Sequence, residues 1–246
     1  MQNNMKRSCL LVLLLTLFNV TGYSQILDTL IKKHRLAVGG EAAYKKLVPY
    51  KATYVYESGG DRTDIEVYRG NGNLLRVNKK FFFRNEPVQP NKSFFELINE
   101  QGAWAFAPDQ TDSLPRKLSA YEINRLLEAY DWDDPLLDYT QRKIRLDYLS
   151  TEFFNETFYH KILVHYIDGK QEYLFLHPET FFIDRRILND PTIVDDKTIA
   201  EYRVLTNNAR WPARIEMGES QLKLISFSPQ TTLPATLFKS PAKTAK

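Results

Sequence analysis

The sequence predicts a mainly-β (α+β) fold of about ten antiparallel strands, with helices at the start of the chain and near its middle. From residue 51 onward, apolar and polar residues alternate with a period of two over many short segments. Turns rich in glycine and asparagine separate these segments. A sheet with so many strands must curl or close on itself, so we expect a curved sheet with one concave apolar face.

The composition excludes several classes of protein. The 246 residues carry 33 Lys and Arg against 30 Asp and Glu, with a single Cys and 13% aromatic residues. Because the charges are nearly balanced and spread along the chain, we expect neither a disordered chain nor a nucleic-acid partner. One Cys cannot form a disulfide framework or a cysteine-based zinc site. A folded protein with an unusually high aromatic content remains.

Residues 1–24 have the pattern of a signal peptide that is removed on export. Lys6 and Arg7 form a positively charged start, and an apolar run follows at 10–18. Small residues at the −3 and −1 positions place the predicted cut before Gln25. The run is too short to span a bilayer, so we do not expect it to remain as an anchor.

The mature protein is therefore predicted to be exported, soluble and free of a lipid anchor. Cys9 lies before the apolar run, whereas a lipidated cysteine would follow it, so Cys9 is removed with the signal. We expect residues 25–246 to form a single domain, in which 239–246 are a disordered tail.

Two helices and one hairpin are the clearest individual elements. Apolar residues at helical spacing open the mature chain, and Ser119 and Glu122 are spaced as in a capping box before a second helical segment. The hairpin runs from 157 to 177. If its turn contains two residues, Ile162 lies opposite Phe175, and both point to one apolar face.

No reaction centre can be identified in the sequence. It contains no nucleophile-elbow, zinc-protease, dinucleotide-binding or phosphate-loop motif. The hairpin register also places His160 opposite His177, but without a third ligand a strand-end pair is favoured over a metal site. The sequence therefore predicts no catalytic residue, no metal and no cofactor, and a protein that is not an enzyme.

Three segments resemble a known family. Ile31 to Leu47 (IKKHRLAVGGEAAYKKL) resembles an opening helix with a Gly-Gly stop, and Glu172 to Arg185 (EYLFLHPETFFIDR) resembles paired strands around an H-P-x-T turn. Leu222 to Pro241 resembles a final strand that ends in LF-x-x-P. Together with the strand count, these segments resemble the LolA/LolB-like superfamily, in particular outer-membrane lipoprotein-sorting-type proteins of the bacterial periplasm.

The resemblance implies an incomplete antiparallel β-barrel of about ten to eleven strands wrapped around helices that act as a lid. Members of this superfamily shuttle lipoproteins by sheltering their acyl chains, or sense lipidated ligands. The lid would be the helix at 120–130, and Arg125 lies in the helix where carriers of the family hold a lid arginine. The implied role is that of a periplasmic protein that binds or carries a lipid or lipoprotein acyl chain, with envelope membrane proteins as donor or acceptor.

On this hypothesis, an apolar concave cavity holds the acyl chain. Its predicted lining consists of apolar and aromatic residues from the strands and the lid: Tyr54, Tyr56, Ile65, Val67, Phe81, Phe83, Trp104, Phe106, Leu126, Leu127, Ile162 and Phe175. The alternative is an envelope docking module whose cavity is filled by side chains and which binds its partner through a strand edge. A third hypothesis, an enzyme acting on a sugar or lipid, requires two ionisable groups with opposed pKa shifts in one pocket.

Overall fold

A computed structural model describes residues 25–84, 86–88, 94–107, 115–130, 134–190, 195–230 and 232–240. The predicted signal segment, 1–24, lies outside these residues. The described residues divide into two compact units: those of the first lie within Met1–Val38 and Pro135–Asp195, and those of the second within Gly39–Asp134 and Asp196–Lys246. No change of composition marks these boundaries, and the single domain over 25–246 stays a prediction.

The described residues contain fourteen strands, more than the ten to eleven that the sequence predicted. They are β1 (Tyr50–Ser58), β2 (Asp61–Arg69), β3 (Leu75–Phe83), β4 (Glu86–Pro87), β5 (Phe94–Asn99), β6 (Gly102–Phe106), β7 (Arg116–Lys117), β8 (Arg145–Phe154), β9 (Thr157–His165), β10 (Gln171–Leu176), β11 (Ile183–Leu188), β12 (Asp196–Val204), β13 (Arg210–Met217) and β14 (Ser220–Pro229). Two of them, β4 and β7, are only two residues long, so alternation cannot reveal them.

Helical segments are few. Helix α1 covers residues 25–37, α2 covers Glu41–Lys45 and α3 covers Ala120–Tyr130. A single 3₁₀ turn at Ala235–Phe238 follows the last strand. The helical patterns at the start and in the middle of the sequence therefore correspond to helices in the structure.

The strands of the second unit pair antiparallel in the order β7-β6-β5-β3-β2-β1-β14-β13-β12, with β4 beside β3. Most neighbours in this order are also neighbours along the chain, as is usual for hairpins. The exceptions are β3, which pairs with β5 across the short β4, and β1, which pairs with β2 on one side and with the distant β14 on the other. Near the end of this pairing, the hydroxyls of Ser58 and Ser220 are 2.8 Å apart although 162 residues separate them.

Aromatic side chains fill one end of the buried face of this sheet. The ring of Trp211 contacts the rings of Tyr44, Tyr50 and Phe227 at centroid distances of 6.0, 5.6 and 4.9 Å. Its Nε1 donates a hydrogen bond to the hydroxyl of Tyr54 at 3.1 Å. Since Tyr50, Tyr54 and Trp211 are all buried, this end of the face is a filled core.

The segment after β14 is held against the sheet by its backbone. Asn99 Nδ2 donates to the carbonyl of Phe238 at 2.7 Å and to Ser240 Oγ at 3.2 Å. Lys239 and Ser240, the first two residues of the predicted disordered tail, are among the described residues. The rest of that predicted tail, 241–246, lies outside the described residues.

The first unit contains α1 and a sheet in the order β8-β9-β10-β11, also antiparallel. The buried His34 of α1 donates from Nδ1 to the carbonyl of Phe181, after β10, at 2.7 Å. Arg35 donates to the carbonyls of Leu136 and Leu137 at 3.3 and 2.9 Å. Polar side chains of α1 therefore help to hold the helix in place within the first unit, in addition to the packing of its apolar face.

The hairpin of β9 and β10 has a different register from the predicted one. A three-residue loop at 167–169, with Gly169 at φ 87°, replaces the predicted two-residue turn. The additional residue shifts the pairing by one, so Ile162 lies opposite Leu174 rather than Phe175. Because successive strand residues point to opposite faces, Ile162 and Phe175 lie on different faces. The predicted register is wrong.

Candidate functional site: an apolar sheet face beneath helix α3

The candidate site lies on one face of the second unit's sheet, which we call the apolar face. Residues that lie opposite each other on neighbouring strands form rows across it. Ala52, Val67 and Val77 share one row and are each 0% exposed. In the next row, Tyr54 lies opposite Ile65, and both are buried. These rows are part of the core of the second unit.

Burial decreases along this face toward the end of β3. The exposed fraction of the side chains rises from 0% at Val77 to 37% at Phe81 and 56% at Phe83. Tyr56 and Phe94 are half-buried on the same face, and the rings of Phe81 and Phe94 meet edge to face at 4.8 Å. We call Tyr56, Phe81, Phe83 and Phe94 the aromatic mouth. It is an apolar surface that stays partly open to water.

Helix α3 lies over part of the apolar face. Its residues Leu126 and Tyr130 are buried and Leu127 is half-buried, as expected for one face of an amphipathic helix. Tyr130 reaches the sheet, since its ring lies 5.5 Å from Nζ of Lys79 on β3. Arg125, the counterpart suggested for the lid arginine, is exposed.

The start of α3 is fixed by the predicted capping box. The backbone N–H of Ser119 donates to Glu122 Oε2 at 2.9 Å, and the N–H of Glu122 donates to Ser119 Oγ at 3.3 Å. Arg116 donates to both carboxylate oxygens of Glu122, at 2.6 and 3.0 Å. These hydrogen bonds, first from Arg116 and then from Ser119, lower the pKa of Glu122 from 4.5 to about 2.

Three polar residues, Lys79, Glu96 and Tyr130, interrupt the apolar face and are called here the polar cluster. Lys79 Nζ lies 2.6 Å from Glu96 Oε2, with the two side chains 22% and 27% exposed. Burial acts to lower the pKa of Lys79, but Tyr130 and Glu96 outweigh it, so this pKa is raised. Burial raises the pKa of Tyr130. At neutral pH the cluster therefore holds an ammonium beside a neutral phenol.

Eight of the twelve predicted lining residues come together on the apolar face and α3: Tyr54, Tyr56, Ile65, Val67, Phe81, Phe83, Leu126 and Leu127. They are not equivalent. Half of them are buried in the core, whereas Tyr56, Phe81, Phe83 and Leu127 retain accessible surface.

The other four predicted residues are placed elsewhere. On β6, Ala103 lies opposite Ile98 on the apolar face, so Trp104 and Phe106 point to the opposite, polar face. Both sets of alternate residues in this strand are apolar, so sequence alone could not decide between them. Ile162 and Phe175 belong to the first unit, on different faces of its sheet.

The polar cluster was not predicted from the sequence. Lys79 occupies a position where the alternation of β3 requires an apolar residue, and Glu96 does the same on β5. Two opposite charges at positions where apolar residues are expected are a signal that could have identified this partly buried ion pair. To recognise the two residues as a pair, one must know that β3 lies beside β5, and these strands are not consecutive in the chain.

The polar face of the same sheet carries a groove of about 470 Å³. Polar side chains in its lining interact with each other: Arg62 Nε lies 2.7 Å from Asp64 Oδ1, and Arg76 Nε donates to Asn78 Oδ1 at 2.9 Å. Eight of its twelve lining residues are polar or charged, so the groove is not the purely apolar cavity that the sequence predicted.

Within the described part of the chain, no three His, Cys, Asp or Glu side chains are placed to hold a metal ion together. His160 lies opposite Leu176, so it does not form the cross-strand pair with His177 that was considered. His177 Nδ1 instead accepts the backbone N–H of Glu179 at 3.2 Å. None of the helices in the described ranges has the length and hydropathy needed to cross a membrane.

No protein-family model and no curated protein sequence matches this chain. Solved structures do match it. The chain is similar to the LolA superfamily protein NE2245 from Nitrosomonas europaea, with 14% sequence identity and a TM-score of 0.51, over 81% of this chain and 96% of that one.

Two further structures are similar at slightly lower TM-scores. One is a domain from Vibrio parahaemolyticus named for outer membrane lipoprotein sorting, with 13% identity and a TM-score of 0.49, over 80% of this chain and 93% of that one. The other is a DUF1329 family protein from Desulfovibrio piger, with 14% identity and a TM-score of 0.49, over 85% and 96% of the two chains.

The similarity to the Nitrosomonas protein confirms the predicted fold, which is mainly β and LolA-like. At such low sequence identity it shows the fold alone, because one architecture can carry several functions.

Proposed function

We propose that this chain, with its LolA-like fold, is a periplasmic, non-enzymatic protein that binds a lipid or lipoprotein acyl chain at the aromatic mouth. The observation that supports this most directly is the decrease in burial along the apolar face, from 0% exposed at Val77 to 56% at Phe83. Contiguous exposed apolar surface commonly marks a ligand or partner site. The signal pattern at 1–24 supports export, and removal of that segment would leave 25–246.

Acyl binding would be driven by the removal of methylene groups from water. Each buried CH₂ contributes about 0.8 kcal/mol, so about six of them contribute about 5 kcal/mol before the costs of association. Tyr54, Ile65 and Val67 are already buried, and so is Leu126 of α3. A longer acyl chain therefore requires α3 to move away from the sheet, and α3 is the proposed lid.

Native mass spectrometry tests this proposal. The protein is purified without detergent, its native mass is measured, and bound lipid is then extracted and identified. We expect an acylated species in near-stoichiometric amount, or its uptake when an acylated peptide is added. An apo mass that stays unchanged after incubation with acylated peptides contradicts acyl binding.

The second candidate is a docking module for an envelope partner, and one observation favours it. The inner rows of the apolar face and Leu126 form a filled core, which a protein without a cargo also requires. In that case the aromatic mouth would be covered by a partner protein. The two candidates differ in the mass measurement, because only the carrier takes up acylated peptides in the absence of another protein.

A further inference from the structure

We infer that the polar cluster of Lys79, Glu96 and Tyr130 is a head-group site that selects acyl ligands with neutral heads able both to donate and to accept hydrogen bonds. An amide or a hydroxyl head has this property. A free carboxylate, as in a fatty acid, does not. The inference rests on the proposed acyl binding and adds to it which acyl compounds are bound.

The position of the cluster suits this role. Lys79 lies opposite Ile65 on β2 and opposite Phe94 of the aromatic mouth on β5. Phe81 follows two residues later on the same face of β3. An acyl chain that lies on the mouth with its polar end inward would place that end next to Lys79 and Glu96, whose side chains keep 22% and 27% of their surface exposed.

The hydrogen-bonding capacity of the cluster is only partly used. An ammonium group has three donors and a carboxylate has about four acceptor positions. Within the described chain, Lys79 bonds to Glu96 and to Tyr130. One further donor on Lys79 and acceptor positions on Glu96 remain. A group that offers a carbonyl or hydroxyl oxygen together with an N–H or O–H can satisfy both.

The charges of the cluster disfavour an anionic head. The ammonium of Lys79 is already neutralised by Glu96 at 2.6 Å, so an added carboxylate would meet the negative charge of Glu96 as well as the positive charge of Lys79. Arg116 also interacts electrostatically with Glu96, but its guanidinium is held by Glu122 at 2.6 Å. A neutral head avoids this repulsion and needs less desolvation.

A purely structural role explains the cluster less well. A partly buried ion pair contributes little net stability, because the cost of desolvating the two charges offsets much of their attraction. An apolar pair at these two positions would continue the alternation of β3 and β5 and would be at least as stable. The ion pair is therefore better explained by a ligand than by folding.

The test compares acyl ligands that differ only in their head. The assay measures displacement of the fluorescent reporter N-phenylnaphthylamine from the purified protein. The three competitors are palmitoyl-glycinamide, monopalmitoylglycerol and palmitate. We expect the two neutral ligands to bind about tenfold more tightly than palmitate, as two additional hydrogen bonds imply. Equal affinities, or tighter binding of palmitate, overturn the inference. This ligand series needs no variant of the protein.

A double variant assigns the selectivity to the cluster. Lys79→Met combined with Glu96→Leu removes the ion pair, and we expect all three ligands to bind with similar affinity. The matched control is Lys51→Met with Glu66→Leu, which removes a pair of similar length, 2.7 Å, on the polar face. It should keep the selectivity of the unmodified protein. Selectivity that survives in the Lys79 and Glu96 variant contradicts the assignment.

The outcomes separate this inference from the proposed function. If all three ligands displace the reporter equally well, acyl binding stands and head-group selection fails. If none of them displaces it, acyl binding itself fails.

Discussion

Phe81 and Phe82 are neighbours on β3 with side chains on opposite faces of the sheet, and this makes them a matched pair. Phe81 belongs to the aromatic mouth, whereas Phe82 lies 5.6 Å from the guanidinium of Arg62 on the polar face. Because a carboxylate is costly to place against an acyl chain, we expect Phe81→Asp to weaken palmitoyl binding about tenfold or more. Phe82→Asp should leave binding unchanged in the same displacement assay. Equal effects of the two variants would exclude the mouth as the binding surface.

A second residue-scale consequence concerns Glu172, a buried carboxylate in the first unit. Arg186 donates to it at 2.7 Å, and the hydroxyl of Tyr166 also donates to it. Burial acts to raise the pKa of Glu172, but Arg186 and Tyr166 outweigh it, so the pKa lies below the usual 4.5. A carboxyl whose pKa is lowered on folding stabilises the fold above its unfolded-state pKa. That contribution is lost as the pH falls through the folded-state value.

Removing one partner of this pair should therefore be strongly destabilising. We expect Arg186→Met to lower the free energy of unfolding by roughly 3–5 kcal/mol at neutral pH, because it leaves a buried carboxylate without its cation. The loss should be smaller well below pH 4.5. Urea denaturation at both pH values measures this. The double variant Arg186→Met with Glu172→Leu should recover most of the stability, and a pH-independent loss would contradict the explanation.

Residue-scale prediction from the sequence was reliable where one set of alternate residues is apolar and the other polar. Ile65 and Val67 were placed on the buried face in this way. Alternation could not orient Trp104, since both of its neighbours are apolar as well, and it gave no role to Lys79. Whether any of the lining residues binds a ligand stays a prediction.

At the scale of elements, the capping box of α3 leads to a prediction about the lid. Ser119→Ala removes the side chain that caps the helix and should destabilise it by about 1 kcal/mol. If α3 is the lid, its open state becomes more populated, so we expect faster release of a bound acyl ligand in stopped-flow fluorescence. Asn124→Ala, at an exposed position of the same helix, is the control. Unchanged release from Ser119→Ala would exclude α3 as the lid.

The capping box also shows which elements a sequence specifies locally. Ser119 and Glu122 interact within one helical turn, so their spacing alone was sufficient to predict the contact. The predicted register of the hairpin at 157–177 was wrong because a two-residue and a three-residue loop can both use Gly169 with positive φ. The choice depends on which residues pack inward, and this information is not local.

At the scale of the whole molecule, the pairing of β1 with β14 makes the second unit depend on distant parts of the chain. A chain that ends at Glu219 lacks β14, so β1 loses one partner and Trp211 loses its contact with Phe227. We expect this truncated chain to lose the near-ultraviolet circular dichroism of the native protein. A chain that ends at Ser240 keeps every described contact and should keep the native Tm. A native spectrum from the shorter chain would contradict this dependence.

The fold class was predictable because most of the strands pair with neighbours along the chain, and such hairpins are visible in the sequence. The pairing of β1 with β14 was not predictable, since Ser58 and Ser220 are 162 positions apart in the sequence. The boundaries of the two compact units likewise have no signal in the composition of the sequence. In the sequence, the second unit is formed by one segment before and one segment after the segment that forms most of the first unit.

This long-range pairing has a consequence for a chain that emerges from the ribosome, or from an export channel, with its N-terminus first. Once β1 has emerged, it can pair with β2, but its other edge has no partner until β14 follows. The sheet of the second unit therefore cannot be completed before nearly all of the described chain is free. While the rest of the chain emerges, that edge of β1 keeps its backbone N–H and C=O groups without strand partners, which is the state in which strands pair with other chains.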